Sequence, residues 1–170
     1  VTFSNFRLPY TIGCWIDIFC LDGVSDDPEK QKKQFRQMRT VQDLTITCLT
    51  KFGGKRRSKL HTILQYGLLP ALPFIRMVGA KRYLDRNEKI CRRYDYDQSN
   101  LVAVIGGRAG VGEIMPKQAM DPAILMDFEG HQFYLMANYH QYLTGLYGDY
   151  MKLPPESERV SRHEINVYWK

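Results

Sequence analysis

Gly13-Cys14-Trp15-Ile16-Asp17-Ile18-Phe19-Cys20, followed by Leu21-Asp22-Gly23, is the stretch on which the fold turns. Its aromatic and β-branched residues form a nearly unbroken apolar run, which predicts a buried strand closed by a turn. Asp17 interrupts that run. Aspartate is depleted in strands, and a carboxylate sharing its face with Trp15 and Phe19 is costly unless paired, hydrogen-bonded or bound to a cation. Two explanations of Asp17 therefore stand side by side: a cation ligand, or an acid near a strand end that accepts backbone hydrogen bonds. Asp22 has a simpler one, since a position before glycine suits local capping of a turn.

Downstream of this strand, Asp27-Pro28 supplies a cap and a first-turn proline. Phe35, Met38, Val41, Leu44 and Cys48 then recur at helical spacing until Gly53-Gly54 stops the pattern. Lys55, Arg56, Arg57 and Lys59 crowd the next loop, and Leu60, Ile63, Leu64, Leu68 and Leu69 begin a second helical pattern interrupted at Pro70 and Pro73. Gln65, the prolines and Arg76 break that stretch well short of the ~20 apolar residues of a membrane crossing, so a divided helix is expected. The basic loop offers peripheral contact with an anionic membrane surface. A solvated loop leading into core helices is the simpler explanation and the preferred one. From Lys81 to Tyr94 helical spacing resumes, with Tyr83, Leu84, Ile90 and Cys91 set among charges.

Leu101 to Ile105 is a second strand candidate, ending in Gly106-Gly107. Ile124–Phe128 and His131–Met136 flank Glu129-Gly130 and predict a hairpin whose glycine relieves the turn. Asn138 is placed to cap a helix from Tyr139 to Tyr147, which Gly148 ends. No internal repeat is present, and the alternation of strands and helices predicts a mixed α/β domain.

At 170 residues the chain suits a single domain with a real core. Its 44% hydrophobic and 25% charged residues are those of an ordinary globular protein. A net charge of +6 favours anionic partners. Lys and Arg are nevertheless spread along the chain without any DNA- or RNA-binding motif, so no nucleic-acid partner is expected. Cys14, Cys20, Cys48 and Cys91 form no CxxC pair and are expected as buried free thiols in a reducing compartment. No basic-then-apolar leader is visible.

Several familiar chemistries are disfavoured. The cluster Gly106-Gly107-Arg108-Ala109-Gly110-Val111-Gly112 lacks both the GK[ST] ending of a P-loop and the order of a dinucleotide fingerprint, so a flexible connection is expected there. His61, His131, His140 and His163 lack zinc-ligand spacing, and no serine sits in a GxSxG elbow.

Two separated motifs nonetheless resemble one family. Trp15 to Gly23 (WIDIFCLDG) is similar to the IDIFPLDG segment of the LicD phosphotransferases, with Cys20 where that family commonly has proline. Phe128-Glu129-Gly130, Asn138-Tyr139, Tyr142-Leu143, Leu146 to Met151 (LYGDYM) and Pro154-Pro155 are similar to its closing signature. The resemblance implies a nucleotidyltransferase-like fold, a small mixed sheet flanked by helices and incomplete at its N-terminus. It implies metal-dependent transfer of a phosphorylated small alcohol, of the phosphorylcholine type, from a CDP-linked donor to a glycan. That acceptor would be a lipid-linked or cell-surface glycan such as lipopolysaccharide or teichoic acid, with the enzyme at the cytoplasmic side of the membrane.

The family's metal, Mg²⁺ or another divalent cation, is expected on three carboxylates. Asp17 matches the third of them, as metal ligand and catalytic residue. The first two belong to an aspartate-rich motif that has no match in this sequence. The closing motif is expected to face substrate through Tyr147 and Asp149, together with Arg159 and His163, although Gly148-Asp149 also makes a sensible helix stop. The competing expectation is a non-catalytic basic domain that holds anionic glycan or a membrane surface.

Overall fold

The computed structural model describes residues 2–3, 10–11, 16–50, 67, 69–120 and 122–159. In chain order the regular elements are β1 (Thr2–Phe3), β2 (Tyr10–Thr11), β3 (Asp22–Val24), α1 (Pro28–Leu49), α2 (Leu72–Val78), α3 (Ala80–Cys91), β4 (Leu101–Ala103), β5 (Met115–Pro116), β6 (Ala123–Phe128), β7 (His131–Met136) and α4 (Tyr139–Tyr147). Strands pair as β1-β2, β3-β4-β5 and β6-β7, antiparallel in every case. The mixed α/β class expected from the sequence is what folds, with its described sheets all antiparallel. Two compact units divide the chain, one holding the described residues of Val1–Ile18 and Thr40–Glu88, the other Phe19–Arg39 with Lys89–Arg159.

In the second unit the core lies on the β3-β4-β5 sheet. Val24, Val102, Ala103, Ile105, Met115 and Ala119 are buried there, with Phe35 and Met38 of α1 and Ile90 of α3. Each large apolar side chain withdrawn from water in this way contributes ~1.5–3 kcal/mol. Gln34 is 0% exposed, and its Nε2 donates to the Ile90 carbonyl at 2.9 Å, tying α1 to the end of α3. Helix α1 starts where the sequence predicts. Asp27 Oδ1 accepts from the backbone N–H of Glu29 at 2.9 Å and of Lys30 at 3.4 Å, satisfying donors that the first turn leaves free.

The expected strand over Gly13–Cys20 is corrected by this sheet. Residues 16–21 belong to no strand, with Ile16 89% and Ile18 87% exposed. Residues 12–15 lie outside the described ones. Pairing begins instead at Asp22, which sits opposite Ala103 in the ladder and is no turn residue. The physical reason is visible at Gly23. A Cβ there would come within 2.5 Å of Ser99 Oγ, 2.7 Å of the Tyr94 carbonyl and 2.8 Å of the Asp95 carbonyl. Only glycine lets the 94–99 turn close over the strand, so Asp22-Gly23 marks a close approach of backbones.

In the first unit, Thr45 and Cys48 of α1 and Ile75 of α2 are buried. Tyr83 donates its hydroxyl to the Ile75 carbonyl at 3.2 Å, and Arg76 Nη2 donates to the Thr50 carbonyl at 3.3 Å. The apolar stretch around Pro70 and Pro73 is divided as expected, by a 3₁₀ turn at Leu69–Ala71 and by Gly79 at φ 85° between α2 and α3. Among the described residues no helix is long and apolar enough to cross a membrane. The basic loop Lys55–Lys59 lies outside the described residues, as does most of the helical pattern that follows it. Cys48 is buried and Cys91 half-buried, but Cys20 is exposed, contrary to expectation, because the segment carrying it is not in the sheet.

The β6-β7 hairpin and α4 fall where the sequence places them. Glu129 at φ 49° and Gly130 at φ 80° form the two-residue connection, the backbone that a tight hairpin demands. Met126 pairs with Phe133 and Phe128 with His131, and Phe128 and Phe133 meet edge to face at 6.3 Å.

Candidate functional site

The closing motif is built by the end of α4. Gly148 takes φ 68° and its N–H returns to the Thr144 carbonyl at 2.9 Å, which stops the helix. Beyond it Tyr150 N–H bonds the Gly148 carbonyl at 2.9 Å and Lys152 N–H the Asp149 carbonyl at 3.1 Å, so the chain turns back. His140 Nδ1 and the Tyr150 hydroxyl lie 2.8 Å apart, fastening the turn to the helix. Tyr147, 69% exposed, and Asp149 are left facing solvent. Arg159 is exposed, and its Nε donates to the Pro154 carbonyl at 2.7 Å. Tyr147, Asp149 and Arg159 thus share one unit, Asp17 belongs to the other, and His163 lies outside the described residues.

Asp17 is exposed and in no regular element. The burial cost that singled it out is therefore absent: its flanking isoleucines are in solvent, and the carboxylate is not set into an oily strand. Among the described residues no group of three or more His, Cys, Asp or Glu is placed to hold a metal ion. The described residues do not build the divalent-metal site that the resemblance implies.

Sequence reasoning missed a buried acid. Glu113 ends the 3₁₀ turn Gly110–Glu113, is 8% exposed, and accepts the Tyr142 hydroxyl proton at 3.0 Å on Oε2. A Cβ on Gly107 would lie 2.5 Å from Glu113 Oε1, so this glycine makes room for the carboxylate. Within the glycine cluster, Gly107 is thus the position that leaves space for Glu113. Burial, then the hydrogen bond to Glu113 and its charge, push the Tyr142 hydroxyl up to about 12. The available signal was a glutamate between Gly112 and the apolar pair Ile114-Met115, a place where a charge needs a partner.

Beside this pair opens a cavity of about 190 Å³. Asn138, Gln141, Tyr142 and Gly145 face it from one side of α4, and Met115 and Pro116 help to floor it. Asn138 stands at the N-cap position but its side chain caps nothing, contrary to expectation, because its φ of −93° and ψ of 34° depart from the extended backbone of a side-chain cap.

Comparison with known proteins gives one informative match. The chain is 29% identical over 156 residues to the lipopolysaccharide cholinephosphotransferase LicD of Haemophilus influenzae, covering 91% of this chain and 56% of that protein. The chain is thus similar to a LicD protein over most of its own length. It spans about half the length of the LicD protein it matches. No family model matches the chain, and no solved structure matches it. The resemblance carried by WIDIFCLDG and LYGDYM is thus joined by LicD similarity over most of the sequence.

Proposed function

We propose that this chain is part of a phosphotransferase that moves a phosphorylcholine-type group from a CDP-linked donor to a lipopolysaccharide-like glycan. The observation that carries this is the similarity to a lipopolysaccharide cholinephosphotransferase over 156 residues, with two motifs of that family in order. The nucleotidyltransferase-like fold, the Mg²⁺ requirement and action at the cytoplasmic face of a membrane belong to the same proposal.

Within it, the exposed Asp17 is a metal ligand, the third of the family's three carboxylates. Tyr147 and Asp149 present a ring and an acid at the end of α4, and Arg159 extends a guanidinium whose Nη groups have no partner among the described residues. That fork suits a phosphate oxygen pair. His163 joins them as a contact to nucleotide or acceptor.

The test is transfer of labelled phosphorylcholine from CDP-choline to lipopolysaccharide by the complete protein, with and without EDTA. Label in the glycan that disappears on chelation supports the proposal. A second reading, a non-catalytic basic domain that holds anionic glycan or a membrane surface, is favoured by the net charge of +6. Glycan binding with no transfer at any Mg²⁺ concentration would select it.

A further inference from the structure

The cavity beside α4 contains a glycine that the protein's own packing does not require. Gly145 lies inside the helix, where glycine is less favourable than alanine, yet a Cβ there would meet nothing within 4 Å. Its φ is not in the left-handed region either, so neither crowding nor backbone conformation calls for glycine. What the missing side chain supplies is room in the cavity that Gly145 lines. Around that room the helix offers two amides and a phenol: Asn138, whose side chain caps nothing, Gln141 and Tyr142. The opposite wall is apolar, with Met115 and Pro116, and among the described residues no lysine, arginine, aspartate or glutamate lines the space.

We propose that this cavity binds one uncharged sugar ring. Amide side chains donate and accept at once, which matches vicinal hydroxyls. The Tyr142 proton is committed to Glu113, so its phenolic oxygen is left as an acceptor for a sugar hydroxyl. The apolar wall takes the C–H face of the ring. At about 190 Å³ the space falls below the ~300–1,000 Å³ of pockets for drug-sized ligands, so it holds one ring and not a nucleotide. A phosphate is disfavoured, because the described lining has no cation and the Glu113 carboxylate sits behind Tyr142. Assigning this ring to the glycan acceptor rests on the transfer reaction proposed above. The binding site itself does not.

The test is saturation-transfer NMR on the full chain with glucose and N-acetylglucosamine, with cytidine monophosphate and choline as controls. The wild type should bind a sugar at millimolar concentration. Gly145→Leu should weaken that binding by about tenfold or more while leaving the unfolding temperature at or above wild type, which a purely structural glycine would not do. Gln141→Ala, at an exposed position, should weaken it in the same direction and keeps the test valid should the leucine variant unfold. Absence of sugar binding to the wild type, or binding held within about twofold in both variants, overturns the proposal. In the transfer assay an acceptor KM unchanged by Gly145→Leu overturns the assignment of this ring to the acceptor, while the transferase function stands. Sugar binding that Gly145→Leu abolishes, in a protein with no transfer activity, supports the cavity and removes the transferase function.

Discussion

Removing the Tyr142 hydroxyl should expose how much the second unit depends on the buried Glu113. The two are joined by one bond of 3.0 Å, Glu113 is 8% exposed, and a Cβ on Gly107 would lie 2.5 Å from its other oxygen. A hydrogen bond to a charged group contributes ~1.5–3 kcal/mol, and its loss leaves the acid buried without that donor. Tyr142→Phe is therefore expected to cost about 2 kcal/mol, which for a chain of this size lowers the unfolding temperature by about 4–8 °C. Glu113→Gln keeps the shape and an acceptor oxygen, so its bond to Tyr142 falls into the neutral class of ~0.5–1.5 kcal/mol. In the double variant the two losses should overlap, giving a coupling of about 1 kcal/mol. Urea unfolding of the four proteins, followed by circular dichroism, measures that cycle. Losses that add to within ~0.3–0.5 kcal/mol would refute the claim that the pair acts as one element.

Two further outcomes follow from single residues. Gly23→Ala should destabilise by about 1–3 kcal/mol, because two of the atoms its Cβ would meet are the Tyr94 and Asp95 carbonyls and cannot swing away; thermal unfolding within a degree of wild type would contradict this. Alkaline unfolding carries the Tyr142 signature: its hydroxyl is held at about 12 rather than 10.0, so the unfolded chain loses the proton first as pH rises. This contribution to stability is present in full below pH 10.0 and is lost between there and about 12. Tyr142→Phe should flatten that part of a stability-versus-pH curve, and an unaltered slope in the variant would show that the group does not titrate this way.

Elements with strong local punctuation were legible in the sequence. Asp27-Pro28 began α1, the Glu129-Gly130 step turned the β6-β7 hairpin, and Gly148 stopped α4. Each of these is decided by a few neighbouring residues. What the sequence did not reveal depends on distant partners. The apolar run Ile16–Phe19 looks like a core strand, but the ladder starts at Asp22 because Gly23 fits beneath the 94–99 turn, which no local pattern announces. Glu113 acquires its meaning from Tyr142, twenty-nine positions away, and from Gly107. Asp17 was singled out for a burial cost that its exposed position does not impose, so its proposed role now rests on the LicD motif alone.

That role is the point at which the proposed chemistry is most directly exposed to failure. In the complete protein, phosphorylcholine transfer from CDP-choline to lipopolysaccharide should fall by about a hundredfold or more in Asp17→Asn. The circular dichroism spectrum and unfolding temperature should remain those of wild type, since the residue is exposed and outside any strand or helix. Transfer by Asp17→Asn at the wild-type rate would contradict the assignment of a catalytic, metal-binding carboxylate in this chain.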